Sequence, residues 1–141
     1  MDAMFDLAPE EIEIISKTVC VDFDGVIHRY SEGWKDGSIY DFPVPGALDA
    51  LRYLLDNYSV VIHTSRTPQQ VCEWLRGYAF NAMPDVARME TGSEGLFWDN
   101  PGVILVTRMK YAAIAYIDDR GIRFENWMQA LEDLQRHTFA I

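Results

Sequence analysis

The chain has 141 residues and a mass of 16.2 kDa, which bounds it to one compact domain, since domains centre on roughly 100 to 150 residues. Hydrophobic residues make up 49% and charged ones 24%, too apolar for a disordered chain, while 12 Lys and Arg against 22 Asp and Glu leave a charge of −10 that disfavours nucleic acid and anionic lipid. Cys20 and Cys72 lie far apart without CxxC spacing, which excludes a readable disulfide framework or zinc ribbon and points to a reducing cytoplasm.

The acidic start MDAMFDLAPEEIEIISK lacks the positive flank and unbroken apolar run of an export signal, and no stretch approaches the roughly 20 apolar residues of a membrane span. Residues 1–141 therefore read as a single domain in which residues 1–17 form an N-terminal helical extension. Its helix, from Pro9 to about Ser16, is expected to pack on the sheet through Ile12 and Ile15.

Continuous apolar or β-branched runs follow at residues 18–23, 60–63, 103–106 and 115–117, and continuity rather than alternation suits strands buried on both faces of a parallel sheet. Helical spacing lies between them. Pro45 opens a segment with Leu48, Leu51, Leu54 and Leu55 on one face. Thr67-Pro68 opens a second, with Val71, Trp74, Leu75 and Tyr78 on one face and Gly77 near its stop. Trp127, Ala130, Leu131 and Leu134 repeat the pattern near the C-terminus, and KYAAIAYIDDRG reads as a short helix leading into a strand. Residues 80–102 carry no clear period, with Phe97 and Trp98 core residues by default. Alternating strands and helices predict a three-layer α/β domain with a mostly parallel central sheet, whose chemistry sits at strand C-termini.

The first strand runs into VCVDFDGVIHRY. Asp22 and Asp24 share a mouth if the chain curls at Gly25; one carboxylate can then serve as nucleophile and the other as general acid and base. Such a pair, with a backbone carbonyl, suits a hard cation such as magnesium. The second strand ends VVIHTSR, where the Thr64 hydroxyl and the amides from Ser65 onward can cradle a phosphoryl oxygen. Lys110 precedes the acidic pair Asp118-Asp119, and its point charge can hold nucleophile and phosphoryl group together. Alone, the Asp22-Asp24 loop is as often a helix-capping loop, and each of the others is more often a cap, a turn or a surface charge. In this order they make the set that metal-assisted phosphoryl transfer requires. A receiver domain uses similar residues, but its acidic pair comes first and its lysine last.

The order and spacing resemble the haloacid dehalogenase superfamily of phosphohydrolases: VDFDGV is similar to its first motif, VVIHT to its second, Lys110 to its third and IDDR to its fourth, over about residues 18–127. IDDRGIRFENW is further similar to small phage and bacterial members and to the phosphatase half of polynucleotide kinase. The resemblance implies a Rossmann-like fold without a large cap. It implies that Asp22 attacks phosphorus through an aspartyl-phosphate intermediate and that Asp24 is the acid/base and gives magnesium its main-chain carbonyl. It places Thr64, Ser65 and Lys110 on the phosphoryl oxygens and Asp22, Asp118 and Asp119 on Mg2+. Tyr111 stands where relatives often carry proline.

From Gly25 to Pro45 there is room for a flap but not a cap domain. His28, Tyr30, Trp34 and Lys35 either line the entrance or pack against a neighbouring helix. Arg66 either makes a salt bridge at the helix start, the favoured reading, or meets a second anionic group of a substrate. His63 reads as a hydrogen-bonded core histidine and Cys20 as a small buried hydrophobe too deep to reach the mouth. The expected activity is magnesium-dependent hydrolysis of a small phosphomonoester, metabolite or nucleotide. A polynucleotide 3′-phosphatase is disfavoured by charge, and a catalytically silent phosphate-binding module is the minority reading. No membrane partner is expected; a second subunit covering the open site is one source of selectivity left standing.

Overall fold

Among the described residues, four of the five strands arise where the apolar runs stand; three of those runs are buried as their continuity suggests, but residues 115–117 are exposed, because they form an edge of the sheet. A computed structural model describes residues 6–82, 88–91 and 95–139. The elements are α1 (Pro9–Ser16), β1 (Thr18–Asp22), α2 (Ala47–Asn57), β2 (Ser59–His63), α3 (Pro68–Ala82), β3 (Arg88–Glu90), β4 (Val103–Thr107), β5 (Ala115–Ile117) and α4 (Trp127–Phe139). The strands make one five-stranded sheet in the order β3-β4-β2-β1-β5, every pairing parallel. The chain is thus an α/β protein with an all-parallel sheet flanked by helices. No helix among the described residues is long and apolar enough to cross a membrane.

Alternate residues of β1, β2 and β4 feed two cores. Val19 and Val21, Val60 and Ile62, and Ile104 and Val106 face α2 and α3, where Leu51, Leu55, Val71, Cys72 and Leu75 close the main core. Cys20, Val61 and Leu105 face the other way, onto Trp98 and Tyr111. That second face is covered by connecting segments where the sequence predicts a further helical layer. Trp98, 7% exposed, donates its indole N–H to the carbonyl of Val103 at 3.1 Å, so it is a core residue as expected.

Several boundaries differ from the sequence expectation. Gly46, with φ +85°, caps α2, so Pro45 precedes that helix instead of opening it. The helix α3 runs through Gly77, exposed and without a close neighbour, to Ala82. Residues 110–113 are irregular instead of helical, because Tyr111, 1% exposed, is drawn into the second core and its carbonyl accepts the hydroxyl of Tyr116 at 2.6 Å. β3 was hidden in the stretch without a period, of which residues 83–87 and 92–94 lie outside the described residues. The start of α1 is Pro9 and its end Ser16, as the sequence predicts, but Ile12 is exposed and none of its residues is buried, so the expected packing through Ile12 and Ile15 is weak. Trp127 and Leu131 of α4 are likewise exposed although their spacing predicts a packed face.

Candidate functional site

Parallel pairing delivers the acids to one edge. Asp22, the last residue of β1, stands opposite His63 at the end of β2, and Val21 stands opposite Ile117 at the end of β5. The next residues along, Thr64 after β2 and Asp118 after β5, therefore leave the sheet on either side of Asp22. Beyond β1 the chain turns sharply: the carbonyl of Phe23 accepts the amides of Ile27 at 2.9 Å and His28 at 3.0 Å, and Gly25 takes φ +84°. Gly25 is required twice, since its conformation disfavours any side chain and an added Cβ would run into the Asp119 carboxylate. The curl expected at Gly25 is present.

Asp22 is half-buried, and its Oδ1 accepts the Phe23 amide at 2.9 Å. Burial pushes its carboxyl above the usual aspartate range, the Phe23 hydrogen bond opposes this, and the charges of Asp119 and Asp118 push it further up. Asp118 and Asp119 thus lie near enough to Asp22 for their charges to be felt there. Asp118 also closes its own turn, its Oδ1 accepting the amides of Arg120, at 3.2 Å, and Gly121.

Asp24 is held differently. Its Oδ1 meets His28 Nδ1 at 2.8 Å, and Arg66 Nε donates to both carboxylate oxygens, at 3.1 Å and 2.9 Å. Arg66 is 2% exposed; its guanidinium also donates to the carbonyl of Gly37 at 2.6 Å and lies 4.4 Å from the Trp34 ring. Two readings the sequence left open are decided here. Arg66 does make a salt bridge, but with Asp24 across the sheet edge and not at the helix start, and it is too buried to meet a substrate. His28 does not line the entrance but packs against Trp74 of the neighbouring helix α3, the other of its two readings: its side chain is fully buried, ringed by Phe23, Tyr30, Tyr40 and Trp74 at centroid distances of 5.4 to 6.0 Å. The physical reason is the turn after β1, which directs His28 back under the loop that Tyr30 and Trp34 occupy.

Two adjoining cavities open on this edge. One of about 120 Å³ is lined by Asp22, Asp24, Thr64 and Ser65, with Tyr30 and Trp34 on its loop side and Arg120 opposite. The other, of about 500 Å³, is lined by Asp22, Ser65, Lys110, Asp118 and Arg120 among others. Thr64 is buried, and its hydroxyl oxygen accepts the Arg66 amide at 3.0 Å, so one of the amides expected to cradle phosphate is already used while the hydroxyl hydrogen stays a donor. Ser65 is exposed and touches both cavities. Lys110 is exposed, its ammonium 4.9 Å from the Tyr116 ring. Lys35 lines neither cavity; it pairs with Glu32 at 2.9 Å on the outer loop.

One residue the sequence did not single out and two that it read differently also border the cavities. Arg120 lines both cavities, and the signal was the basic residue directly after the acidic pair in IDDR. His63 is hydrogen-bonded as expected, Nε2 to the Arg108 carbonyl at 3.2 Å, but it lines the larger cavity instead of lying in the core. Cys20 is buried, with its thiol pushed up to about 11 by burial, yet it lines that cavity's floor.

The donor chemistry suits a hard divalent cation, because the carboxylates that push the Asp22 carboxyl up would be neutralised by one. Among the described residues no three His, Cys, Asp or Glu side chains form a ready cage, and the Asp24 carboxylate is spoken for by Arg66 and His28. That limits the protein to one or two carboxylates and a main-chain carbonyl, the sparse ligation magnesium accepts because it keeps several waters. Compared with models of known families, with curated proteins and with solved structures, the chain finds no match in any of the three.

Proposed function

We propose that the chain is a magnesium-dependent phosphomonoester hydrolase of the haloacid dehalogenase kind, with a Rossmann-like fold and no large cap. The observation that carries this reading is the meeting of two unlike aspartates at one strand end. Asp22 is open to both cavities with an oxygen unclaimed by the Phe23 amide, whereas Asp24 is fixed by two donors two residues away. The first leaves an oxygen free to attack, on a carboxyl that a cation beside Asp118 and Asp119 would keep ionised, and the second fixes the orientation of an acid/base.

The Asp22 carboxylate attacks phosphorus, the bond to the ester oxygen breaks, and Asp24 gives that oxygen its proton. Asp24 then takes a proton from water, which attacks the aspartyl phosphate and releases inorganic phosphate and free Asp22. Thr64 and Ser65 donate to the phosphoryl oxygens from the end of β2, and Lys110 and Arg120 supply positive charge from the other side. Asp22, Asp118 or Asp119, and the Asp24 carbonyl would hold Mg2+, which would offset the repulsion between an anionic nucleophile and an anionic ester.

The loop of residues 29–42 bears Tyr30 and Trp34 beside the smaller cavity, a flap over an open mouth, so a small phosphorylated metabolite or nucleotide is the favoured substrate. The test is hydrolysis of an aryl phosphate, a mononucleotide and a 3′-phosphorylated oligonucleotide with and without magnesium. Magnesium-dependent release of phosphate from the first two supports the reading. A large, steeply salt-dependent preference for the oligonucleotide would replace the substrate class with a polynucleotide end. Phosphate binding without turnover would leave a silent module.

A further inference from the structure

His28 is fully buried, yet both of its ring nitrogens are bonded to parts of the site. Nε2 lies 3.0 Å from the backbone amide of Asp41, which can only donate, so Nε2 must be the acceptor and carries no hydrogen. The ring hydrogen is then on Nδ1, 2.8 Å from Asp24 Oδ1. A doubly protonated ring would set two donors against each other at Asp41. The hydrogen-bond pattern therefore assigns a neutral imidazole in one tautomer, donating to Asp24.

The same ring is stacked on Phe23, with 5.5 Å between centroids and 17° between planes, and edge-on to Trp74 of α3, so it cannot swing to another partner. A position walled by four aromatic rings would accept phenylalanine on packing grounds. The imidazole is distinguished by its two hydrogen bonds, one to the acid and one to the far end of the loop over the mouth. Arg66 makes the parallel connection, from Asp24 to Gly37 and Trp34 of that loop.

We propose that His28 is the positioning residue of Asp24: a neutral, Nδ1-protonated imidazole that holds the carboxyl group in one orientation and ties it to the loop of residues 29–42. The inference rests on the phosphatase reading, in which Asp24 protonates the leaving oxygen. With two donors fixing one carboxylate, Asp24 cannot rotate away, and the ester oxygen meets the acid in the same place at each turnover. Good leaving groups depart without a proton, so the effect concentrates on poor ones.

Two substitutions separate the ring's two bonds. His28→Asn places an amide nitrogen where Nδ1 stood and keeps the donor to Asp24, while His28→Gln places its amide end where Nε2 stood and keeps the acceptor for Asp41. Both remove the same ring stacking, so their melting temperatures should fall together. The expected result is a kcat for an alkyl phosphate about tenfold or more lower in His28→Gln and within about threefold of wild type in His28→Asn, with the nitrophenolate burst that accompanies phosphorylation of Asp22 little changed in both. Equal losses for the two variants, or a nitrophenolate burst slowed as much as alkyl phosphate turnover, would overturn the proposal. Long-range 1H–15N correlation of the His28 ring in wild type supplies a readout without turnover: hydrogen on Nδ1 alone, lost or shifted in Asp24→Asn, supports it, and hydrogen on Nε2 overturns it. A wild type inert toward every aryl and alkyl phosphate overturns the phosphatase reading alone and leaves the positioning of Asp24 to be decided by the ring tautomer.

Discussion

Removing the Arg66 guanidinium while leaving its stem, as in Arg66→Met, should be among the most damaging single changes this protein can take. The side chain is 1% exposed and Asp24 19% exposed, so the pair sits in a poorly solvated place where a stranded partner is costly. Loss of Arg66 leaves Asp24 with the His28 donor alone, frees the Gly37 carbonyl and removes the stacking on Trp34. Breaking a buried pair from one side costs about 3–5 kcal/mol, and because Asp24 stands at the cavity rim the lower figure, about 3 kcal/mol, is the expectation. That is a large share of a total stability of about 5–15 kcal/mol and lowers a urea midpoint by about 1–2 M. The assay is equilibrium urea unfolding of Arg66→Met, Asp24→Asn and the double variant. Since the two side chains stabilise one another, the double variant should be less damaged than the sum, with a coupling of about 2 kcal/mol. A cost below about 1 kcal/mol for Arg66→Met, or coupling within about 0.5 kcal/mol of zero, would refute the clamp as the structure draws it.

Other consequences follow from the same edge of the sheet. Asp22→Asn should abolish turnover and, without divalent cations, raise the melting temperature at neutral pH. The folded Asp22 carboxyl holds its proton above the usual aspartate range, so its ionisation costs stability as pH rises, and the gain from the amide should vanish in acid where the carboxyl is protonated in both states. Gly25→Ala should cost about 1–2 kcal/mol for the φ of +84° and displace Asp119, which thermal melts with and without magnesium would register as lower stability and a smaller magnesium shift. Replacing Asp118 and Asp119 together with alanine should remove the rise in melting temperature that magnesium produces; an unchanged rise in that variant would place the cation elsewhere.

The sheet was legible in the sequence because continuous β-branched runs have few other places to go, and the two-residue spacing at a strand end made Asp22 and Asp24 stand out. β3 was not legible: three residues at a sheet edge, inside a stretch with no period, leave no local signature. The helix expected at residues 110–113 failed because burial of Tyr111 in the second core outweighs local helical preference. The Arg66–Asp24 pair spans 42 residues and forms only once β1 and β2 lie side by side, so no window of sequence contains it. His28 was left between the entrance and a neighbouring helix for a related reason. Its exposure is decided by the turn at Gly25 and the return of the loop through Asp41, whose amide completes the ring's hydrogen bonding. Arg120 was visible as a residue type, but its access to both cavities depends on how the chain leaves β5.

The central claim is that Asp22 becomes phosphorylated. Mixing the protein with magnesium and an aryl phosphate, quenching in acid within one turnover, reducing with borohydride and mapping the peptides tests it directly. An acyl phosphate on Asp22 is reduced to homoserine, so the account predicts homoserine at position 22 in wild type, accumulation of the precursor in Asp24→Asn, and none in Asp22→Asn. Turnover with no homoserine at position 22 under any quench, or homoserine at position 24, 118 or 119, would contradict it.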